Sequence, residues 1–156
     1  MKRLILFCLI SLILTSCKFE EEEGPRIKCM QNLKQIYFAL EAYANDNNGN
    51  YPNKNDFLGL KMLVDEQYLK SSCLKCPGDK ETINSSYRYI GGLNKNSGKN
   101  SPICWDKKDN HKYRDTIFGN VLYLGGHIEG YSYEKWSQFL ESTSSRKELK
   151  NRDHQP

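Results

Sequence analysis

The side chains of this 156-residue chain best suited to chemistry are its six cysteines and three histidines. Cys8 and Cys17 lie near the amino terminus, and Cys29, Cys73, Cys76 and Cys104 lie in the body of the chain. Four cysteines in an exported domain point to two disulfides, and they allow three pairings. Bridging Cys73 to Cys76 would close a very small loop, so Cys104 and Cys29 stand as alternative partners. The Cys73-x-x-Cys76 spacing carries two further readings. A redox pair needs a strand-to-helix setting that lowers a thiol pKa, whereas here Pro77-Gly78 follows and no βαβ pattern surrounds it. Half of a zinc site needs two more ligands, such as Cys104 with His111 or His127, and the spacing fits no standard ligand template. His111 and His127 are also candidates for an acid–base pair, against the plainer reading of a loop histidine and a hairpin histidine with ordinary polar partners. Glu129 shares a strand face with His127, which suits a metal pair or a cross-strand polar face. His154 sits in the tail and carries no signal. No Gly-x-Ser-x-Gly, phosphate-loop or His-Glu-x-x-His pattern is present. We therefore expect no enzymatic activity, no cofactor and no resident metal.

The amino terminus supplies an address. Lys2 and Arg3 precede an apolar run over residues 4–14, interrupted by Ser11. At about 11 residues the run is a secretion signal, too short for the roughly 20 that span a bilayer. Its ending, Leu14-Thr15-Ser16-Cys17, resembles the lipobox of bacterial lipoproteins. That resemblance implies cleavage before Cys17, a diacylglyceryl thioether on its sulfur and an acylated amino group. Several acyl chains anchor firmly where one is marginal. Residues 1–16 are then a signal peptide, and residues 17–24, with four consecutive glutamates, an acidic tether. The expected location is the bacterial envelope, lipid-anchored on the periplasmic or outer-membrane side. The formal charge of +4 falls to +2 without Lys2 and Arg3, and the basic residues are mixed with acids. Such a footprint excludes nucleic acid as the partner.

The elements that must position these residues are readable from periodicity. Ile27, Met30, Leu33, Tyr37, Leu40 and Ala44 draw a helical stripe, which Ile36, Phe38 and Tyr43 widen. Pro25 suits its first turn, and Asn47-Asn48-Gly49 its stop. Residues 57–68 predict a shorter helix, with Asp56 as its cap. Short strands are expected at 86–90, 102–106, 120–124 and 127–131, the last two joined by a two-residue turn at Gly125-Gly126. Residues 106–114 are highly charged and predict an exposed loop. A last helix covers 133–142, capped by Ser132, and 143–156 read as a disordered tail. Tyr87, Tyr89, Trp105, Tyr123, Tyr131 and Trp136 either pack the core or form a glycan platform. The fold class is α+β, a helix on a small antiparallel sheet over residues 25–142.

Two segments resemble a known family. Cys29-x-x-Asn32-Leu33-Lys34-Gln35-Ile36, with Tyr43 and Gly49-x-Tyr51-Pro52, is similar to the helix of prepilin-like proteins related to type II secretion pseudopilins. Trp105-Asp106, His111 and the run from Asn120 to Glu129 are similar to that family's closing motif, His, nine residues, Asp-Gly. The resemblance spans about residues 28–131. It implies a long helix packed on an antiparallel sheet, action through contacts with envelope or secretion-system proteins, and no catalysis. Three departures are visible. A lipobox replaces the prepilin peptidase site and its filament-forming helix, thirteen residues separate His111 from Gly125, and Gly125 stands where the motif has Asp. The alternatives are a metal-binding or redox lipoprotein built on Cys73, Cys76, Cys104, His111 and His127, and a carbohydrate-binding module.

Overall fold

The computed structural model describes residues 20–80, 83–113 and 116–152. Helix α1 is Glu20–Asp46, α2 is Asp56–Asp65, a 3₁₀ turn covers Ser71–Leu74, and α3 is Tyr133–Arg152. Between them lie β1 (Tyr87–Tyr89), β2 (Pro102–Asp106), β3 (His111–Tyr113), β4 (Thr116–Tyr123) and β5 (Ile128–Tyr131). The class is α+β with an antiparallel sheet. Strand β4 is its hub, pairing with β2 through Val121 and Leu122, with β3 through Phe118, and with β5 from Gly119 to Leu122. Strand β1 joins β2 with Tyr89 opposite Cys104 and Tyr87 opposite Asp106.

Strand alternation divides the interior into two clusters. Tyr87, Tyr89, Cys104 and Leu122 pack with Leu33, Ile36 and Leu40 of α1 and Leu60 and Leu63 of α2. Trp105, Ile117 and Val121 pack with Tyr131 and Trp136. In the second cluster Gly119 is required by close approach: a Cβ there would lie 2.4 Å from Trp136 Cε2. Gly119→Ala is therefore expected to destabilise the fold by about 1–3 kcal/mol through overpacking, measurable by thermal unfolding.

Several boundaries differ from the expected ones. Helix α1 begins at Glu20, so part of the acidic segment is helical and Pro25 lies inside the helix rather than in its first turn. Its buried arc is Cys29, Leu33, Ile36, Leu40, Tyr43 and Ala44, while Ile27 and Phe38 face solvent at 49% and 54% exposure. It ends as the sequence indicates: Asn48 and Gly49 take left-handed φ of 55° and 80°, and Gly49 N–H donates to the Ala44 carbonyl at 2.7 Å. The N-cap position of α2 is Asn55, not Asp56, and the Asp56 carboxylate reaches β1, 3.2 Å from Arg88 Nη1. Helix α2 stops at Asp65, ahead of Tyr68, with Gln67 at a left-handed φ of 65°. The β4–β5 turn takes three residues, not two, since Tyr123 N–H donates to the His127 carbonyl and Gly126 holds φ at 81°. Helix α3 continues to Arg152, past the expected end at Ser142; the Thr143 hydroxyl bonds back to the Leu140 carbonyl within it. The expected charged loop contains β3, and its Asn110 and His111 are buried.

The tyrosines give the fold an alkaline limit. Burial is the first cause that pushes Tyr87 and Tyr89 far above the ordinary phenol value. A hydrogen bond to Asp46 is the first cause that raises Tyr68 to about 12. A group whose folded pKa exceeds its unfolded value stabilises fully below the unfolded value, about 10 for tyrosine, and loses that contribution as pH rises. Stability should hold up to about pH 10 and fall above it. Absorbance titration should find native tyrosinate appearing at higher pH than in denaturant.

Candidate functional site

The polar centre of the molecule lies beneath α1 and is assembled from five segments. Cys29 is on the buried arc of α1, and the 3₁₀ turn that precedes Cys76 packs against the same helix. The loop holding Cys76 is fixed from both sides. Ser86 N–H donates to the Leu74 carbonyl at 2.8 Å, and Cys76 N–H donates to Ser86 Oγ at 2.9 Å. Asn110 Nδ2 donates to the Ser86 carbonyl at 2.6 Å, tying the loop before β3 to this frame. Gly78 permits the close fit, because a Cβ there would stand 2.2 Å from the Asn110 carbonyl oxygen. Next in sequence, His111 is held against the loop.

Cys29 and Cys76 form a disulfide, with Cα atoms 5.4 Å apart and a sequence separation of 47. His111 Nε2 lies 3.6 Å from Cys76 Sγ and 3.2 Å from Asp106 Oδ2. Asp106, at the end of β2, is fully buried and accepts from both the backbone N–H and Nδ2 of Asn120, each at 2.8 Å. Asp106 Oδ1 and Asn120 Oδ1 are buried acceptors with no partner among the described residues. The centre therefore lines up a disulfide, an imidazole, a carboxylate and an amide, all shut off from solvent. Asn32 Nδ2 adds a tie between α1 and the sheet, donating to the Lys75 carbonyl at 2.8 Å and to the Tyr87 hydroxyl at 3.1 Å.

Of the candidate residues, Cys29, Cys76 and His111 are brought together and Cys73, Cys104 and His127 are not. Ligand atoms of the first three lie within 4.8 Å of one another. Among the described residues the expectation of two disulfides is corrected to one. Cys104 is fully buried in β2, its thiol pushed up first by burial and then by Asp106, and Cys73 is half-buried on the 3₁₀ turn. Cys73 opens on a groove of about 620 Å³ lined by Lys28, Gln31, Gln35 and Lys75. In the native protein a thiol reagent should modify one cysteine of the described region quickly, at Cys73, and Cys104 only after denaturation; peptide mapping separates the two.

His127 belongs to the β4–β5 hairpin, where its ring stacks on Tyr123 with centroids 4.5 Å apart. Its Nε2 stands 4.0 Å from Glu129, whose carboxylate is held by Lys135 at 3.0 Å. That hydrogen bond is the first cause holding the Glu129 carboxyl below its usual range. This is an exposed polar face, not a ligand pair. Five of the six aromatics considered for a glycan platform are buried in the two clusters, and Tyr123 is half-buried. The carbohydrate reading loses the exposed row that it needs. Cys17, the lipidation candidate, and His154 lie outside the described residues.

Asp106 and Asn120 are the site residues that the sequence does not single out as such. Each is a polar residue at the end of or within an otherwise apolar strand, and besides their places in the motif segments that exception is the signal they give. Comparison with family models, curated proteins and solved structures finds no match to this chain.

Proposed function

We propose that this chain is a non-catalytic, lipid-anchored envelope protein with a pseudopilin-like domain that acts through protein–protein contacts, in association with a type II secretion or pilus-like system. One observation carries the reading. The two segments that resemble the family, far apart in sequence, meet in space. Lys34 Nζ donates to the Gly126 carbonyl at 3.1 Å, and a Cβ on Gly126 would stand 2.6 Å from the Tyr37 ring. The glycine of the closing motif is thus needed where the motif helix crosses the hairpin.

On this reading His111 serves the interior, and the outward face of α1 serves contact. Phe38 projects from that face beside Tyr37, and Lys34 sits 5.2 Å from the centre of its ring. The test has two arms. Mass spectrometry of the mature protein should find a triacylated Cys17 as the first residue. A photo-crosslinking amino acid at position 38 should capture an envelope or secretion-system protein in the native cell. An unmodified Cys17, or capture restricted to unrelated abundant proteins, would sink the proposal.

A further inference from the structure

We infer that the Cys29–Cys76–His111 centre is a redox-gated zinc site: a staple when oxidised and a metal clamp when reduced. Reduction by a dithiol delivers two electrons and two protons to the S–S bond. The dithiol leaves as a disulfide, and Cys29 and Cys76 become thiols. Zinc then displaces both thiol protons to solvent and takes the two thiolates with His111 Nε2 as its third ligand.

Four observations support this. The three donor atoms already lie within 4.8 Å of one another, and the 3.6 Å between Cys76 Sγ and His111 Nε2 matches two ligands of one tetrahedral ion, with Zn–S about 2.3 Å and Zn–N about 2.0–2.1 Å. The donors are a soft and borderline set that suits zinc. A carboxylate stands beside the ring: Asp106 Oδ2 is 3.2 Å from the same ring nitrogen, and Oδ1 is buried without a partner among the described residues. Asp106 lies beside the three-donor group and not within it, so its carboxylate would have to turn toward the ion to complete the tetrahedron. Finally, the three donors come from α1, the Cys76 loop and β3, so the ion would hold together the two segments that the disulfide now joins and add β3 to them.

The inference is independent of the proposed partner contacts. The test uses the full-length chain in detergent, carrying Cys73→Ser and Cys104→Ser so that other thiols do not compete. After phosphine reduction, cobalt(II) should give a thiolate charge-transfer band saturating at one equivalent, displaced by zinc. The oxidised protein should give none. In histidine-edited NMR the ring nitrogens of His111, and not those of His127, should shift on zinc addition. His111→Ala should abolish the stoichiometric band. Circular dichroism covers the case in which reduction unfolds the chain: refolding on zinc addition supports the site, and failure to refold overturns it. A reduced, folded protein that takes up no metal overturns it, as does binding that leaves His111 unshifted or that the oxidised protein shares.

Discussion

Replacing Cys29 and Cys76 together by alanine is expected to lower the unfolding free energy by about 4 kcal/mol. The estimate follows from the loop the bond closes. Cys29 and Cys76 are 47 residues apart, and the entropy removed from the unfolded chain grows with the logarithm of that length. Two native terms act in the same direction. His111 loses the sulfur beside it, and the Cys76 loop loses its covalent link to α1. At a slope of about 2 kcal/mol per molar urea, the midpoint should fall by about 2 M. An unchanged slope would show that the loss is one of stability and not of compactness. A shift under about 0.3 M would mean that the α1 contacts alone fix the helix, and that the disulfide constrains little. Treating the unmutated protein with reductant without metal should reproduce the shift.

What the sequence reveals of this fold depends on whether a residue's role is local. The stop of α1 was legible because Asn48 and Gly49 adopt left-handed backbone whatever packs above them. Strand β2 and the second half of β4 were legible because each carries apolar residues for two covered faces, as in Ile103, Cys104 and Trp105, whereas Thr116–Gly119 of β4 lay outside the expected strand. Strand β3 was not. Three residues, His111–Tyr113, cannot display an alternation, and the charged residues around them read as solvent-facing. Its place is set by β4, through the pairing of His111 with Phe118. The arc of α1 shows a similar limit. Ile27 and Phe38 fit a helical stripe as well as Leu33 does, and only the position of the sheet decides which side is covered.

The cysteines repeat the lesson. Counting four in the body predicts an even oxidation state, yet pairing depends on the α1 face that bears Cys29 and on the loop that brings Cys76 to it. Cys104 has the same chemistry but points from β2 into the apolar cluster. Asp106 and Asn120 were hidden for a related reason. A polar residue in a short strand ordinarily faces water, and their pairing appears only once the β2–β4 register sets Trp105 opposite Val121. The resemblance drew attention to Asp106 and His111 as motif positions, whereas their 3.2 Å contact comes from the fold.

That contact leads to the other large effect. Asp106→Ala is expected to cost about 3–5 kcal/mol, because it removes the acceptor of a buried network and leaves its donors in place. Asn120 would keep a backbone N–H and an Nδ2 with no acceptor, and His111 would lose its only carboxylate neighbour among the described residues. For a domain of this size the loss corresponds to a fall in melting temperature of roughly 10–20 °C. Asp106→Asn should cost less, since its amide oxygen can still accept from Asn120, while its NH₂ group meets His111 in place of an anionic oxygen. The order Asn above Ala therefore separates the Asn120 interaction from the His111 interaction. A double-mutant cycle between Asp106→Ala and His111→Ala isolates the second directly, and a coupling of about 0.5–3 kcal/mol is expected for groups in one buried network. If Asp106→Ala costs under about 1 kcal/mol, solvent reaches the cavity and satisfies the donors. The buried centre would then be a tolerated polar pocket, and the need to satisfy Asn120 and His111 could not explain why a carboxylate stands in the middle of this sheet.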